Sequence, residues 1–359
     1  MTPAVGARAY LRVDFLRPLV TSSPSDLFAG GAGPDRYPES DRTDLPLDPE
    51  GTAQLDDARR DGIDGLLETT EERTGSDAPF IVSISDVHGY LNSARNALLA
   101  LEDHPELPPI VTADDEGVLH WADENYVLVF NGDLVDRGPA SAETIELAAR
   151  LLEEAPDGRV RIVLGNHEMG FLTPGVFGWR DVYSCDVDRE DRLTFLQSIQ
   201  RGHVVAAYEG YDVTYAHAGQ PDAYEVVAAN DELVAAADRL GEHLADEPGT
   251  DVEAQLVEEH PLVLGLGSVN GRGPGAGLVW LDFRHMPPDA PNQVVGHSRQ
   301  DRLTADGAVL CENVIRNNLH RAGGEAVTVE TPEGLYGLTR ERDGEVTEES
   351  FDLSADSAE

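Results

Sequence analysis

A chain of 359 residues with 68 acidic and 26 basic side chains has a formal net charge of −42, and no lysine occurs, so every fixed cation is an arginine. The length suits one large domain or two small ones. Acidity on this scale argues against nucleic acid or an anionic membrane as a partner, because both would be repelled.

Taken in chain order, the first twenty residues show no apolar leader segment. No later run reaches the length of a membrane span, so a cytoplasmic protein is expected. Tyr10 to Val20 has strand-type residues interrupted by Pro18, which leaves its structure open. Residues 21 to 79 are rich in Ser, Pro, Gly, Asp and Glu, with few apolar side chains to offset the entropy of ordering. An acidic, largely disordered region is therefore expected over 1–75, with at most a short helix near 60 to 70. A catalytic domain is expected over 76–342, followed by an acidic tail over 343–359.

Inside that domain, short apolar strands run into polar turns. Phe80 to Ser85 leads to Asp86-Val-His88-Gly89, and Leu91 to Leu101 has helical apolar spacing. Residues 103 to 125 read as an acidic excursion with a hairpin at Glu116-Gly117. Tyr126 to Phe130 leads to Asn131-Gly-Asp133-Leu-Val-Asp136-Arg137-Gly138-Pro139, and a helix should follow from near Ser141 with Ile145, Ala148, Leu151 and Leu152 on one face. Val160 to Leu164 leads to Gly165-Asn166-His167-Glu168. The stretch 225–259 reads as a helical insert. Asp212 to Ala216 meets His217-Ala-Gly219, and Gln293 to Val295 meets Gly296-His297-Ser298. Cys185 and Cys311 are too few and too far apart for a disulfide framework or a zinc site, and read as small apolar residues.

Strands alternating with helices predict an α/β core, whose sites gather at strand ends. The polar residues there are Asp86, His88, Asp133, Asn166, His217 and His297. These oxygen and imidazole donors, without thiolate, suit Mn, Fe or Zn. A carboxylate between histidines describes a site for two ions about 3.5–4 Å apart, able to clamp a phosphoryl group and acidify a water. A single histidine at a strand end is usually a satisfied core residue. Five strand ends carrying ligand types by accident is a poor explanation.

Those motifs together resemble the signature of calcineurin-like metallophosphoesterases, in the branch of the PPP-type phosphoprotein phosphatases. The resemblance spans roughly residues 80 to 340 in motif order. It implies an αββα sandwich, two mixed sheets flanked by helices, with a dimetal site at the strand ends. Asp86, His88 and Asp133 would hold one divalent ion. Asp133, Asn166, His217 and His297 would hold the other, with manganese the first expectation. Arg137 and Asn166 would grip the phosphate. His167, oriented by Asp136, would protonate the leaving group.

A second phosphate-binding arginine is expected near a tryptophan, which favours Arg284 in Trp280-Leu-Asp-Phe-Arg284, with Arg272 in the Gly-rich stretch 270–275 as the alternative. Ser85, Leu164, Ala218 and the segment Cys311-Glu-Asn-Val-Ile315 depart from the eukaryotic protein phosphatases and resemble bacterial and archaeal members. The implied activity is hydrolysis of phosphate monoesters on a phosphorylated protein or a small phosphoester, with symmetrical dinucleoside tetraphosphate hydrolysis as the alternative.

The charge also fits a halophilic protein, since at molar salt the Debye length is about 3 Å and self-repulsion is screened. Replacement of lysine by the less hydrated guanidinium points the same way. The melting temperature should therefore rise with KCl into the molar range when metal concentration is held constant. A flat or falling trend in a thermal scan would return the acidity to an ordinary cytosolic origin.

Overall fold

The computed structural model describes residues 36–38, 45–47, 51–76, 78–244 and 250–353. Its strands are β1 (Phe80–Ile84), β2 (Val111–Ala113), β3 (Leu119–Trp121), β4 (Tyr126–Phe130), β5 (Val160–Val163), β6 (Val204–Val205) and β7 (Ala207–Glu209). They continue as β8 (Thr214–Ala216), β9 (Gln293–Val295), β10 (Thr304–Asp306), β11 (Val309–Cys311), β12 (Ala326–Thr331), β13 (Gly334–Arg340) and β14 (Val346–Phe351). Seven make one mixed sheet in the order β14-β13-β12-β1-β4-β5-β6, and five make a second in the order β10-β11-β9-β8-β7. The pair β2-β3 is the hairpin expected around Glu116-Gly117.

Strand periodicity divides the interior into layers. Ile81, Val127, Val129 and Val163 on one face of the first sheet share a cluster with Tyr215, Val294 and Leu310 of the second, so the two sheets face each other across it. Alternate residues Val82, Ile84, Leu128, Phe130 and Ile162 turn the other way. They pack in the main core with Ala94 and Leu98 of the helix Leu91–Leu98 and with Ile145, Ala148 and Leu151 of the helix Ser141–Glu154. The helices Val226–Leu244 and Thr250–Glu259 occupy the stretch expected to be a helical insert. The mixed two-sheet architecture expected from the motifs is thus the one observed.

The disorder expected of the N-terminal region does not extend over residues 51–76, and the acidic tail contributes a strand. Residues 51–76 form a helix at Asp57–Asp61, a 3-10 turn at Ile63–Leu66 and a helix at Leu67–Thr74. Asp56 caps the first by accepting the Arg59 N–H at 3.0 Å. The few apolar residues suffice because Ile63 and Leu66 enter the inter-sheet cluster. Two buried arginines, Arg161 of β5 and Arg159 just before it, complete the anchorage. Arg161 donates to the carbonyls of Arg59 and Arg60, and Arg159 donates to Thr70 Oγ1 at 2.6 Å. In the tail, β14 pairs along its whole length with β13. Its glutamates face solvent on an edge strand, where charge discourages pairing with another chain. The Tyr10 to Val20 stretch lies outside the described residues.

A buried carboxyl ties the sheets together away from the strand ends. Glu330 on β12 accepts the N–H groups of Asp212 at 2.7 Å and Val213 at 3.1 Å, and the Tyr215 hydroxyl at 3.0 Å. Burial pushes its carboxyl up to about 7 in spite of these donors. A folded pKa raised above the unfolded one contributes stability that is complete at pH below the unfolded value and is lost as pH climbs through about 7. The melting temperature at constant salt should therefore decline between about pH 5 and 8, and Glu330→Gln should flatten that decline. An unchanged slope in the variant would show that Glu330 does not titrate in this window.

Candidate active site

Every expected site residue except Arg284 follows the C-terminal end of a strand or lines the same mouth. Asp86 and His88 follow β1, Asp133 to Arg137 follow β4, and Asn166 and His167 follow β5, all in the first sheet. His217 follows β8 and His297 follows β9 in the second. Close approach forces small residues between them. A Cβ on Gly132 would lie 2.5 Å from His217 Nδ1, and one on Gly296 would lie 2.4 Å from Asp86 Oδ2. Among the described residues nine non-glycines have positive φ, and six of these are Asp86, His88, Asp133, Asp136, Arg137 and His297. Backbone strain concentrated in this way marks a site held in place by its surroundings.

Asp133 is central. Its Oδ2 lies 3.4 Å from His88 Nε2 and 3.4 Å from His217 Nε2. Two groups of buried ligand-type atoms share it, one with His88 and His167, the other with His217 and His297. Asp86 Oδ1 is 3.6 Å from His88 Nε2, and Asn166 Oδ1 is 2.8 Å from His297 Nδ1 and 3.3 Å from His217 Nε2. The far ring nitrogens of His88 and His217 are each 3.0 Å from a backbone carbonyl, of Val135 and Asn131 respectively. That contact keeps the proton on Nδ1 and turns the Nε2 lone pair inward, as a metal-binding histidine requires. Burial alone would raise the Asp133 carboxyl, but His217, His167 and His88 around it hold it well below the usual range. Burial would likewise depress His217, yet Asp133 carries it up to about 9. A buried anion that draws a proton onto His217 is a place where cationic charge is stabilised, as a divalent cation would be.

Beside this cluster, His167 Nδ1 donates to Asp136 Oδ2 at 2.6 Å, while its Nε2 lies 3.1 Å from Arg137 Nη2. Ser184 steadies the Asp136 carboxylate with its N–H at 3.0 Å and its hydroxyl at 2.7 Å. Burial raises that carboxyl, but the bonds from His167 and Ser184 outweigh it and hold it below the ordinary range. A pocket of about 210 Å³ opens over the cluster, with Arg137, Arg272, Trp280, Arg299 and Arg316 in its lining.

Residues 81–258 match the sequence model of the calcineurin-like phosphoesterases. They form a calcineurin-like phosphoesterase domain. The chain is accordingly a metal-dependent phosphoesterase, of a family that uses a dimetal site. The chain is also similar to solved structures. A cold-active protein-tyrosine phosphatase of the psychrophile Shewanella sp. is 19% identical over 77% of this chain and 81% of its own, with a TM-score of 0.47. Another structure of a cold-active protein tyrosine phosphatase gives 18% identity, 77% and 80% coverage and a TM-score of 0.50. A protein provisionally assigned as a diadenosine tetraphosphatase gives 15%, 76% and 94%, with a TM-score of 0.38.

With His297, which lies beyond the matched segment, the structure brings together Asp86, His88, Asp133, Asp136, Arg137, Asn166, His167 and His217. Arg284 is different. It sits on the 3-10 turn Phe283–His285, 67% exposed, paired with Asp282 at 3.0 Å and absent from the pocket lining. Arg272 takes that place, because the Gly-rich loop folds back to set its Nε 3.0 Å from His297 Nε2.

Several supporting residues carry no role in the motif reading. Glu168 gathers the N–H groups of Asp133, Leu134, Val135 and Gly165 at 2.8 to 3.2 Å, fixing the two turns against each other. Asn313 donates to Asp86 Oδ1 at 2.6 Å, within the segment that departs from the eukaryotic pattern. Its position just after β11 was a usable signal. Ser184, from a separate short helix, had none. Cys311 is buried and Cys185 half-buried, both unpaired. Among the described residues no helix is long and apolar enough to cross a membrane.

Proposed function

We propose that the protein is a PPP-type phosphomonoesterase acting on phosphorylated proteins at serine or threonine, with tyrosine also accepted. The observation that carries this is the His167–Asp136 pair, 2.6 Å apart and adjoining the ligand groups that share Asp133. A dedicated acid matters when the leaving group is a basic alkoxide, as from phosphoserine, and much less when it is a phosphate, as in an anhydride. Asp86, His88 and Asp133 would hold one ion and Asp133, Asn166, His217 and His297 the other, with manganese favoured by the donor set and iron or zinc compatible with it. Two divalent ions there would neutralise the phosphoryl oxygens and supply a water acidic enough to act as nucleophile.

The remaining steps belong to the side chains. Arg137 and Arg272 offer planar forks to the phosphate oxygens, and the Asn166 amide offers a further donor. His167 Nε2 now accepts from the Arg137 guanidinium and carries no proton. A phosphate that captures Arg137 would free it to take up a proton from solvent, and the resulting imidazolium, paired with Asp136, can pass that proton to the departing oxygen. Asp136 keeps the ring aligned through Nδ1. Assay of a phosphoserine peptide, nitrophenyl phosphate and diadenosine tetraphosphate with manganese tests the assignment. Hydrolysis of the first two, lost on chelation and restored by metal, is expected. Preference for the dinucleotide would move the protein to anhydride hydrolysis, and inactivity on all three would sink the proposal.

A further inference from the structure

The mouth of the site holds more cationic charge than one phosphate can use. Arg137, Arg272, Arg299 and Arg316 line the pocket against a single carboxylate, Asp133, which the ions would neutralise. A second cleft of about 340 Å³ adjoins it and shares Arg272 and Arg299. Its lining adds Arg284, Gln300 and Asn317, with Asp282 as the one carboxylate. That acid is already engaged by Arg272 at 2.7 Å and Arg284 at 3.0 Å. The two clefts together thus present five guanidinium groups to two carboxylates, on a chain whose net charge is −42.

Arg316 is half-buried and makes no ion pair among the described residues, and Arg299 is exposed and likewise makes none. Burial, and then the neighbouring Arg137 and Arg299, hold the Arg316 guanidinium below its usual range in spite of the opposing pull of Asp86. Elsewhere in this acidic protein carboxylates stand beside arginines, as for Arg73 with Glu124 and Arg340 with Asp103. Guanidinium forks left open around a cleft are built for a phosphoryl group.

We infer that the outer cleft, around Arg284 and Arg299, binds a second phosphoryl group carried by the same substrate. The inference rests on the phosphoesterase reading above and adds a preference for doubly phosphorylated substrates. Arg272 and Arg299 belong to both clefts, so a substrate with two phosphoryl groups spans them. That second group is supplied by a neighbouring phosphorylated residue of a peptide or by the polyphosphate chain of a nucleotide, which present the same oxygens.

The test compares a singly phosphorylated serine peptide, the same peptide with a second phosphoserine two residues away, AMP and ADP, all at one KCl concentration. The wild type should prefer the two-phosphoryl member of at least one pair by about tenfold in kcat/KM, chiefly through KM, since charged hydrogen bonds of this kind are worth roughly that factor. The pair showing the preference identifies the source. In Arg284→Gln/Arg299→Gln the preference should fall toward one. Equal kcat/KM within both pairs for the wild type, or a preference that survives the double substitution, overturns the inference. Failure of the underlying reading gives a separate signature, no hydrolysis of nitrophenyl phosphate by the wild type. In that event, calorimetric titration of the two peptides into the metal-loaded protein still decides whether the second phosphoryl group is bound.

Discussion

Asp133→Asn is expected to abolish turnover on every phosphate ester and to lower the metal content of the purified protein. One carboxylate oxygen faces His88 and His217 at equal distances of 3.4 Å, so the substitution withdraws negative charge from both groups of ligands at once. It also puts a neutral amide where two divalent ions would need an anionic oxygen between them. The fold itself should tolerate the change, because the side chain keeps its size and its Oδ1 can still accept the His167 N–H now found at 2.9 Å. The loss should exceed the roughly 10–100-fold typical for removing a partner of a metal ligand. Elemental analysis together with turnover checks this, and two equivalents of metal with near-native rate would remove Asp133 from the bridging position.

His167→Asn should lower kcat in proportion to how badly the leaving group needs a proton. On a phosphoserine peptide the alkoxide is strongly basic, and the loss should be about 10²–10⁴-fold. Nitrophenolate departs readily without a proton, so the loss on nitrophenyl phosphate should be far smaller. Asp136→Asn should show the same bias more mildly, because Asp136 aligns the imidazole through a 2.6 Å bond without touching the departing oxygen. Where chemistry limits both substrates, an equal loss on the two would take His167 out of the acid role. A fall in metal content would instead make it a ligand, which its place in one of the two groups around Asp133 makes worth measuring.

The strand ends were legible because each is a local pattern, an apolar run stopped by a turn that carries one or two donors. The sheet then does the assembling, since parallel neighbours such as β1, β4 and β5 bring their C-terminal ends to one edge. The choice between Arg272 and Arg284 was not local. It depends on the Gly-rich loop turning back to His297, with Val269 and Asn270 at positive φ, and no spacing rule conveys that. The helices of 51–76 were hidden for a related reason. Their stability comes from Arg159 and Arg161, at the start of and within a distant strand, and from two apolar residues in a cluster built by others. Composition reads a segment's own means of burial and misses what its neighbours lend. The edge strand β14 shows the same limit, as its exposed glutamates look like a solvated tail until β13 is beside them.

The interleaved strand order has a practical bearing on fragments. The matched segment 81–258 includes β1 but not β12, its antiparallel neighbour, and includes β7 and β8 but not β9, β10 or β11. Cutting there would turn β1 into a raw edge, reduce the second sheet to one hairpin and strip away His297, Arg272 and Asn313. The recognisable stretch of sequence is therefore shorter than the smallest piece that could fold and close its own site. Expression of parts of this chain should retain at least residues 51 to 353, where β14 ends against β13 and the helix Asp57–Asp61 lies over β5 and β7.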